Sequence, residues 1–217
     1  NLKYTGETVA SKLSRIREDM KNAGATAHVL TTLDDICWTL NIRGNDIEFF
    51  PLVLSYAVIT MDKVDLYINE AKLSSEIKAD LEKDGVVFHP YNDIYEDIKK
   101  VGSDEVLLID PARLNYALYN NIPEGVAKVE ERNPEILFKA IKNEVEIENI
   151  RQAQIKDSVA HVKFMKWLKE NVGKMTITEM SASDKLDEFR AEQGNFIRPS
   201  FEPISSYGEH GAIVHYP

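Results

Sequence analysis

Short β-rich runs alternate with helix-period segments from Val9 to Val129, and that alternation predicts a layered α/β domain. Val9, Leu13, Ile16 and Met20 fall on one face of a helix that Gly24 can end. Residues 27–31 predict a short strand. Leu33, Ile36, Cys37 and Leu40 predict a short helix, with Asp34 and Asp35 in the first turn, where the helix dipole favours negative charge. Residues 52–60 and 64–68 are two β-rich runs joined by Met61-Asp62-Lys63, a hairpin pattern. Leu73, Ile77 and Leu81 mark a helix that Gly85 ends, before a strand at 86–88. Ile94, Ile98 and Val101 mark another helix, and residues 105–109 a buried strand. Pro111 can open the next helix at its first position, and a last strand falls at 126–129. The hairpin makes the sheet mixed, and the domain so defined spans residues 1–133.

From Asn133-Pro134 the pattern changes. Residues 143–172 are charged but carry Val145, Ile150, Ala153, Val159, Phe164, Trp167 and Leu168, which predicts one long helix ended by Gly173. Thr176 or Thr178 can cap the next helix, and Thr176 with Glu179 has capping-box spacing. Ala182, Leu186 and Phe189 line that helix, and Gly194 stops it. Two long helices after an α/β unit suggest a second domain over residues 134–217. Its tail reads as loop, then as a strand at 212–216. No internal repeat or low-complexity segment interrupts the chain.

Composition narrows the partners. The formal net charge is −10, which disfavours nucleic acid or an anionic membrane, since both need a basic footprint. The single cysteine, Cys37, cannot form an intrachain disulfide and suits a reducing compartment. No apolar run approaches the roughly 18 residues of a membrane helix, and the first residues lack the basic and apolar regions of a signal peptide. A cytoplasmic location is expected. The chain starts without methionine and stops at Pro217 within a patterned segment, so both ends are expected to be cut from a longer protein.

The tail carries the sharpest candidate. In residues 199–216, PSFEPISSYGEHGAIVHY, a serine-rich loop and a glycine-flanked turn lead to His215. An imidazole can donate and accept hydrogen bonds and titrates near neutrality, so it suits an oxyanion or a proton transfer. By spacing alone, such a histidine is more often structural. His210 and His215 lack the spacing and the acidic third ligand of a zinc-peptidase helix. Residues 208–211 are not a phosphate loop, because no lysine and no helix follow. Adjacent Asp34 and Asp35 do not face each other on a helix, so a capping role is expected rather than an acid/base dyad. Arg43-Gly44 reads first as a turn, although Arg43 could aim a guanidinium at a carbonyl or carboxylate. Glu144, Glu146 and Glu148 read as a solvated helix start. Trp38 and Trp167 read as core or interface residues, and Cys37 as an apolar filler.

Several blocks in order carry a family resemblance. They are KLSRIREDM (12–20), TTLDDICWTLNIRGNDIEFFPLVLSYAVIT (31–60), HPY (89–91), KAIKNEVEIENIRQAQIKDSVAHVKFMKWL (139–168), TEMSASDKLDEFRAEQ (178–193) and PSFEPISSYGEHGAIVHYP (199–217). Over its whole length the chain resembles the long, three-domain, cytosolic Xaa-Pro aminopeptidases (aminopeptidase P). The resemblance implies a creatinase N-terminal-like α/β domain with a mixed sheet and flanking helices over 1–133, the second domain of that family. It is followed by an incomplete α+β pita-bread catalytic domain over 134–217. The family cleaves the bond after an N-terminal residue when proline comes second, using two divalent metal ions, commonly manganese. Its five metal ligands lie downstream of the His-Tyr motif, so none maps onto this chain. The resemblance therefore implies that the chain itself binds no metal and is inactive. It matches His215 to the family histidine that contacts substrate beside the metals. It places Trp38 and Arg43 in a loop near the active-site mouth, as substrate-binding candidates. His210 stands where relatives often carry a small polar residue. A homodimer is implied for the whole enzyme. The alternative is a metal-free pita-bread domain acting as a binding module. Either way, the inner face of the helices at 143–190 is expected to lie uncovered, available for self-association or a partner.

Overall fold

The computed structural model describes residues 1–216. The chain divides into two compact units, residues 1–47 with 51–143, and residues 48–50 with 144 onward. In the first, α1 (Leu2–Thr5) and α2 (Val9–Asn22) lead through β1 (Ala27–Leu30) and α3 (Leu33–Thr39) to the hairpin of β2 (Ser55–Thr60) and β3 (Val64–Ile68). Then come α4 (Ser75–Lys83), β4 (Val86–His89), α5 (Ile94–Asp97), β5 (Val106–Ile109), α6 (Tyr116–Asn121), β6 (Ala127–Glu130) and α7 (Glu135–Ala140). The six strands form one mixed sheet in the order β4-β3-β2-β1-β5-β6. The β2–β3 hairpin and the β1–β2 pair are antiparallel, while β3–β4, β1–β5 and β5–β6 are parallel.

Strand side chains alternate between two faces, and both faces are covered. Ala57, Ile59 and Leu108 join one core with Leu13, Ile16 and Met20 of α2. Val29, Leu107 and Ile109 join the other with Ile94, Ile98 and Leu118. Full burial of each of the Val, Leu, Ile and Met side chains contributes about 1.5–3 kcal/mol relative to leaving it in water. The α2 face read from the sequence is thus the one buried, and the Thr8 hydroxyl caps that helix by accepting from the Ser11 N–H.

Several expected boundaries move for identifiable reasons. β2 begins at Ser55 rather than residue 52, because the preceding residues pair elsewhere: the Gly44 N–H donates to Pro51 O at 3.2 Å and the Asp46 N–H to Leu52 O at 3.1 Å. Pro111 does not open α6. The Asp110 side chain accepts from the Ala112 N–H in a turn, and Asn115 caps the helix instead. Residues 134–143 group with the first compact unit. Glu135 and Lys139 of α7 are bonded to His28, Asp34 and Asp35.

In the second unit, α8 (Glu144–Asn171) occupies almost the whole stretch expected of it, and α9 (Glu179–Ala191) comes after it. Thr178, not Thr176, is the cap, and Ser181 rather than Glu179 completes the capping box. The expected strand at 212–216 is absent. A 3-10 turn spans Gly208–Ala212, and no strand among the described residues lies beside it to satisfy a strand's backbone. Ala160 is the buried residue of α8, while Ile155 is 57% and Val162 61% exposed. With that face open to water, the 217-residue chain is expected to self-associate. Sedimentation velocity should give a coefficient that rises with protein concentration, and Ile155→Lys should flatten the rise. A concentration-independent monomer would contradict this.

Candidate functional site

In the first unit, α3 presents Trp38, and the loop after it presents Arg43. The Lys12 ammonium, with 1% of the residue exposed, lies 4.2 Å from the Trp38 ring centroid. It donates to Trp38 O and to Asn41 Oδ1, both at 2.7 Å. Arg15 stands 5.7 Å from the same ring and 4.4 Å from that of Phe138, while making two hydrogen bonds to Glu7. The indole is therefore packed by cations of α2. Asn41 turns the chain with a left-handed φ of 53°, and its amide donates to Glu7 O at 2.8 Å.

Beyond that turn the loop is fastened. A Cβ on Gly44 would meet Val53 Cβ at 2.8 Å and Leu52 O at 2.9 Å, so no larger residue fits without a shift. Asp46 accepts from Lys72 at 2.6 Å and from the Leu54 N–H at 2.8 Å, and these bonds hold its carboxyl below the usual range. Arg43 is exposed and has no hydrogen-bond or ion-pair partner among the described residues. It is a free guanidinium on a fixed loop.

In the second unit, His215 is exposed, has a left-handed φ of 59° and makes no hydrogen bond among the described residues. His210 stacks on Tyr216, with ring centroids 4.7 Å apart, and its Nδ1–H donates to Glu179 at 2.8 Å. The Tyr216 hydroxyl donates to the other Glu179 oxygen at 2.8 Å. These bonds, His210 first, hold the Glu179 carboxyl below its ordinary range. The same carboxylate raises the Tyr216 phenol. Trp38 and Arg43 lie in one unit and His215 in the other. Among the described residues, no three His, Cys, Asp or Glu side chains are grouped to hold a metal ion.

A buried polar cluster escaped the sequence reading. His28 of β1 and Glu135 of α7 have no exposed side-chain surface and approach to 3.2 Å, while His28 Nδ1 faces Leu108 O at 3.0 Å. The Asn133 amide donates to Asp35 at 3.2 Å and to the Thr32 hydroxyl at 3.3 Å. Lys139 donates to Asp35 at 2.7 Å and also to Asp34. The two aspartates thus stand in the first turn of α3, as expected, and also grip a lysine. Burial disfavours a charged His28, but the Glu135 charge, its hydrogen bond, Leu108 O and the Asp35 charge outweigh it and raise the imidazole above its usual value. No periodic signal links these residues, because they come from segments about a hundred positions apart in the sequence.

A mixed sheet covered on both faces, continuing into a long helix pair, is the architecture of the creatinase-type N-terminal domain at its junction with a peptidase domain. Residues 1–146 match the model of the creatinase/prolidase N-terminal domain and residues 148–217 that of metallopeptidase family M24, so the chain belongs to the creatinase/prolidase N-terminal domain family. Within it, the chain is similar from end to end to Xaa-Pro aminopeptidases. It is 40% identical to Xaa-Pro aminopeptidase 1 of Dictyostelium discoideum over 99% of this chain and 34% of that protein. It is 36% identical to a probable Xaa-Pro aminopeptidase P of Neurospora crassa over 99% of this chain and 33% of that one. The crystal structure of an X-prolyl aminopeptidase from Caenorhabditis elegans, described as a cytosolic enzyme with a di-nuclear active site, superposes with a TM-score of 0.93 at 33% identity. That match covers 100% of this chain and 36% of the nematode one. The chain spans about a third of the length of these curated relatives.

Proposed function

We propose that this chain is part of a cytosolic, metal-dependent Xaa-Pro aminopeptidase, which removes an N-terminal residue from peptides with proline second. It supplies the second α/β domain and the opening of the catalytic domain. The observation that carries the reading is the TM-score of 0.93 over the whole chain against the nematode enzyme. Two divalent ions, manganese by preference, and a homodimer belong to the same reading. Among the described residues no group of side chains is gathered to hold a metal ion, so no step through the ions is derived from them.

What the chain's own side chains can do is narrower. The exposed His215 imidazole can donate a hydrogen bond to a peptide carbonyl as negative charge develops on its oxygen. Arg43, free on a fastened loop, can meet a substrate carbonyl or carboxylate. The half-buried Trp38, packed by Lys12 and Arg15, supports that loop and can pack its indole against a peptide.

The test is cleavage of an Xaa-Pro peptide by the full-length protein supplemented with Mn²⁺. Turnover that requires proline second and is lost to a chelator is expected, with none from the 217-residue chain alone. His215→Ala should lower kcat by about 10²–10³-fold. A full-length protein that binds peptides without cutting them would favour a metal-free binding module instead.

A further inference from the structure

Glu179 occupies the first position of α9, directly after its Thr178 cap. The capping box is completed by Ser181, so the Glu179 carboxylate is not needed at its own helix end. It turns to the tail. Oε1 accepts the Tyr207 N–H at 2.6 Å and the His210 Nδ1–H at 2.8 Å, and Oε2 accepts the Tyr216 hydroxyl at 2.8 Å. These partners come from both ends of one segment, and between them stands His215. At φ 59° that residue adopts a conformation that non-glycine residues keep only where the surroundings hold it. Its own side chain holds nothing, being exposed and without a hydrogen bond among the described residues. The restraint must come from its neighbours, and the immediate one, Tyr216, is fixed twice. Its hydroxyl is on Glu179 and its ring is stacked on His210.

We propose that Glu179 is a positioning residue, whose one carboxylate fastens Tyr207, His210 and Tyr216 and thereby sets where the His215 imidazole stands relative to a bound peptide. The proposal rests on the peptidase reading above. Its physical basis is the steep dependence of catalysis on placement: a displacement of about 1 Å can lower a rate by about 100-fold. The carboxylate accepts all three donors only while ionised, and the hydrogen bonds from His210 and Tyr216 keep its carboxyl below the ordinary range. His210 thus has a role without touching substrate or metal: it is a strut between Glu179 and the Tyr216 ring.

Two measurements test this. The chain has five histidines, so their ring signals can be followed separately by NMR in the 217-residue chain. Glu179→Gln should move the His210 and His215 signals and leave those of His28, His89 and His161 in place. In the full-length protein with Mn²⁺, Glu179→Ala should lower kcat by about 10–100-fold with KM nearly unchanged. Glu179→Gln, which keeps one acceptor oxygen, should recover part of the loss. In a His215→Ala background, Glu179→Ala should add little. An unmoved His215 signal, or an equal loss of kcat with and without His215, would overturn the proposal, since Glu179 would then only help the tail fold. Full activity of His215→Ala would instead sink the peptidase role of that histidine, while the NMR comparison still decides what Glu179 holds.

Discussion

Glu135→Ala is expected to lower the unfolding free energy of the first unit by about 3–5 kcal/mol, far more than loss of a surface ion pair. Both side chains of the His28–Glu135 pair are fully buried. An exposed pair contributes about 0–1 kcal/mol because water already solvates each charge. Here water is excluded, so removing the carboxylate leaves an imidazole facing a void and α7 without its bond to β1. The Glu135 Oε1 atom has no hydrogen-bond partner among the described residues, so the pair is already imperfectly satisfied. Replacing both His28 and Glu135 by apolar residues of similar volume should therefore recover much of what the single variant loses. The measurement is urea unfolding followed by Trp38 fluorescence in a Trp167→Phe background, which reports on the first unit alone. A loss below about 1 kcal/mol would place the pair with surface salt bridges and refute the argument.

The same pair sets a direction for pH dependence. His28 titrates above its ordinary 6.5 in the folded chain. A group raised by folding contributes its full stabilisation below its unfolded value, and that contribution is lost as pH rises through the folded value. Stability of the first unit should therefore fall on the alkaline side of 6.5. Glu135→Gln should flatten the slope, because the amide cannot favour the imidazolium.

Elements whose information is local are legible in the sequence. The period of Val9, Leu13, Ile16 and Met20 fixes α2 because each of those side chains must leave water. The hairpin and α8 arise from local pattern in the same way. Contacts between distant residues leave no such trace. Glu135 sits just past Asn133-Pro134, and only the folded chain brings it against His28. Nothing in the spacing of Asp34 and Asp35 names Lys139 as their partner. The tail misleads for another reason. Residues 212–216 are apolar enough for a strand, but a strand needs a neighbour, and pattern alone does not say whether one is at hand. Of the candidate site, His215 and Arg43 stand out in the sequence as residue types that could serve a site, but only the family resemblance ties them to a bound peptide. Glu179, which gathers the tail, has the spacing of a capping-box residue, and that spacing hides its role because Ser181 completes the box.

Lys12→Met is expected to destabilise the first unit by about 2–4 kcal/mol and to loosen the loop that carries Arg43. Methionine keeps the apolar stem and most of the volume, so the loss reports on the ammonium rather than on a cavity. That ammonium bonds Trp38 O, at the C-terminal end of α3, and Asn41 Oδ1. Hydrogen bonds to a charged donor contribute about 1.5–3 kcal/mol, and each acceptor left buried without a donor carries a further penalty. Relief from burying a charge acts in the other direction and keeps the net loss from reaching the sum of both bonds. The loop consequence is separate. Asn41 holds a left-handed conformation just before Arg43, and freeing its side chain removes one restraint on that turn. Amide exchange at Gly44 and Asp46, whose N–H groups bond Pro51 and Leu52, should then quicken by about tenfold or more. The far end of the loop remains anchored through Asp46 and Lys72, so Lys12→Met combined with Lys72→Met should release it further. If exchange at these two amides is unchanged while stability falls, Lys12 holds α3 to α2 but does not set the loop that presents Arg43.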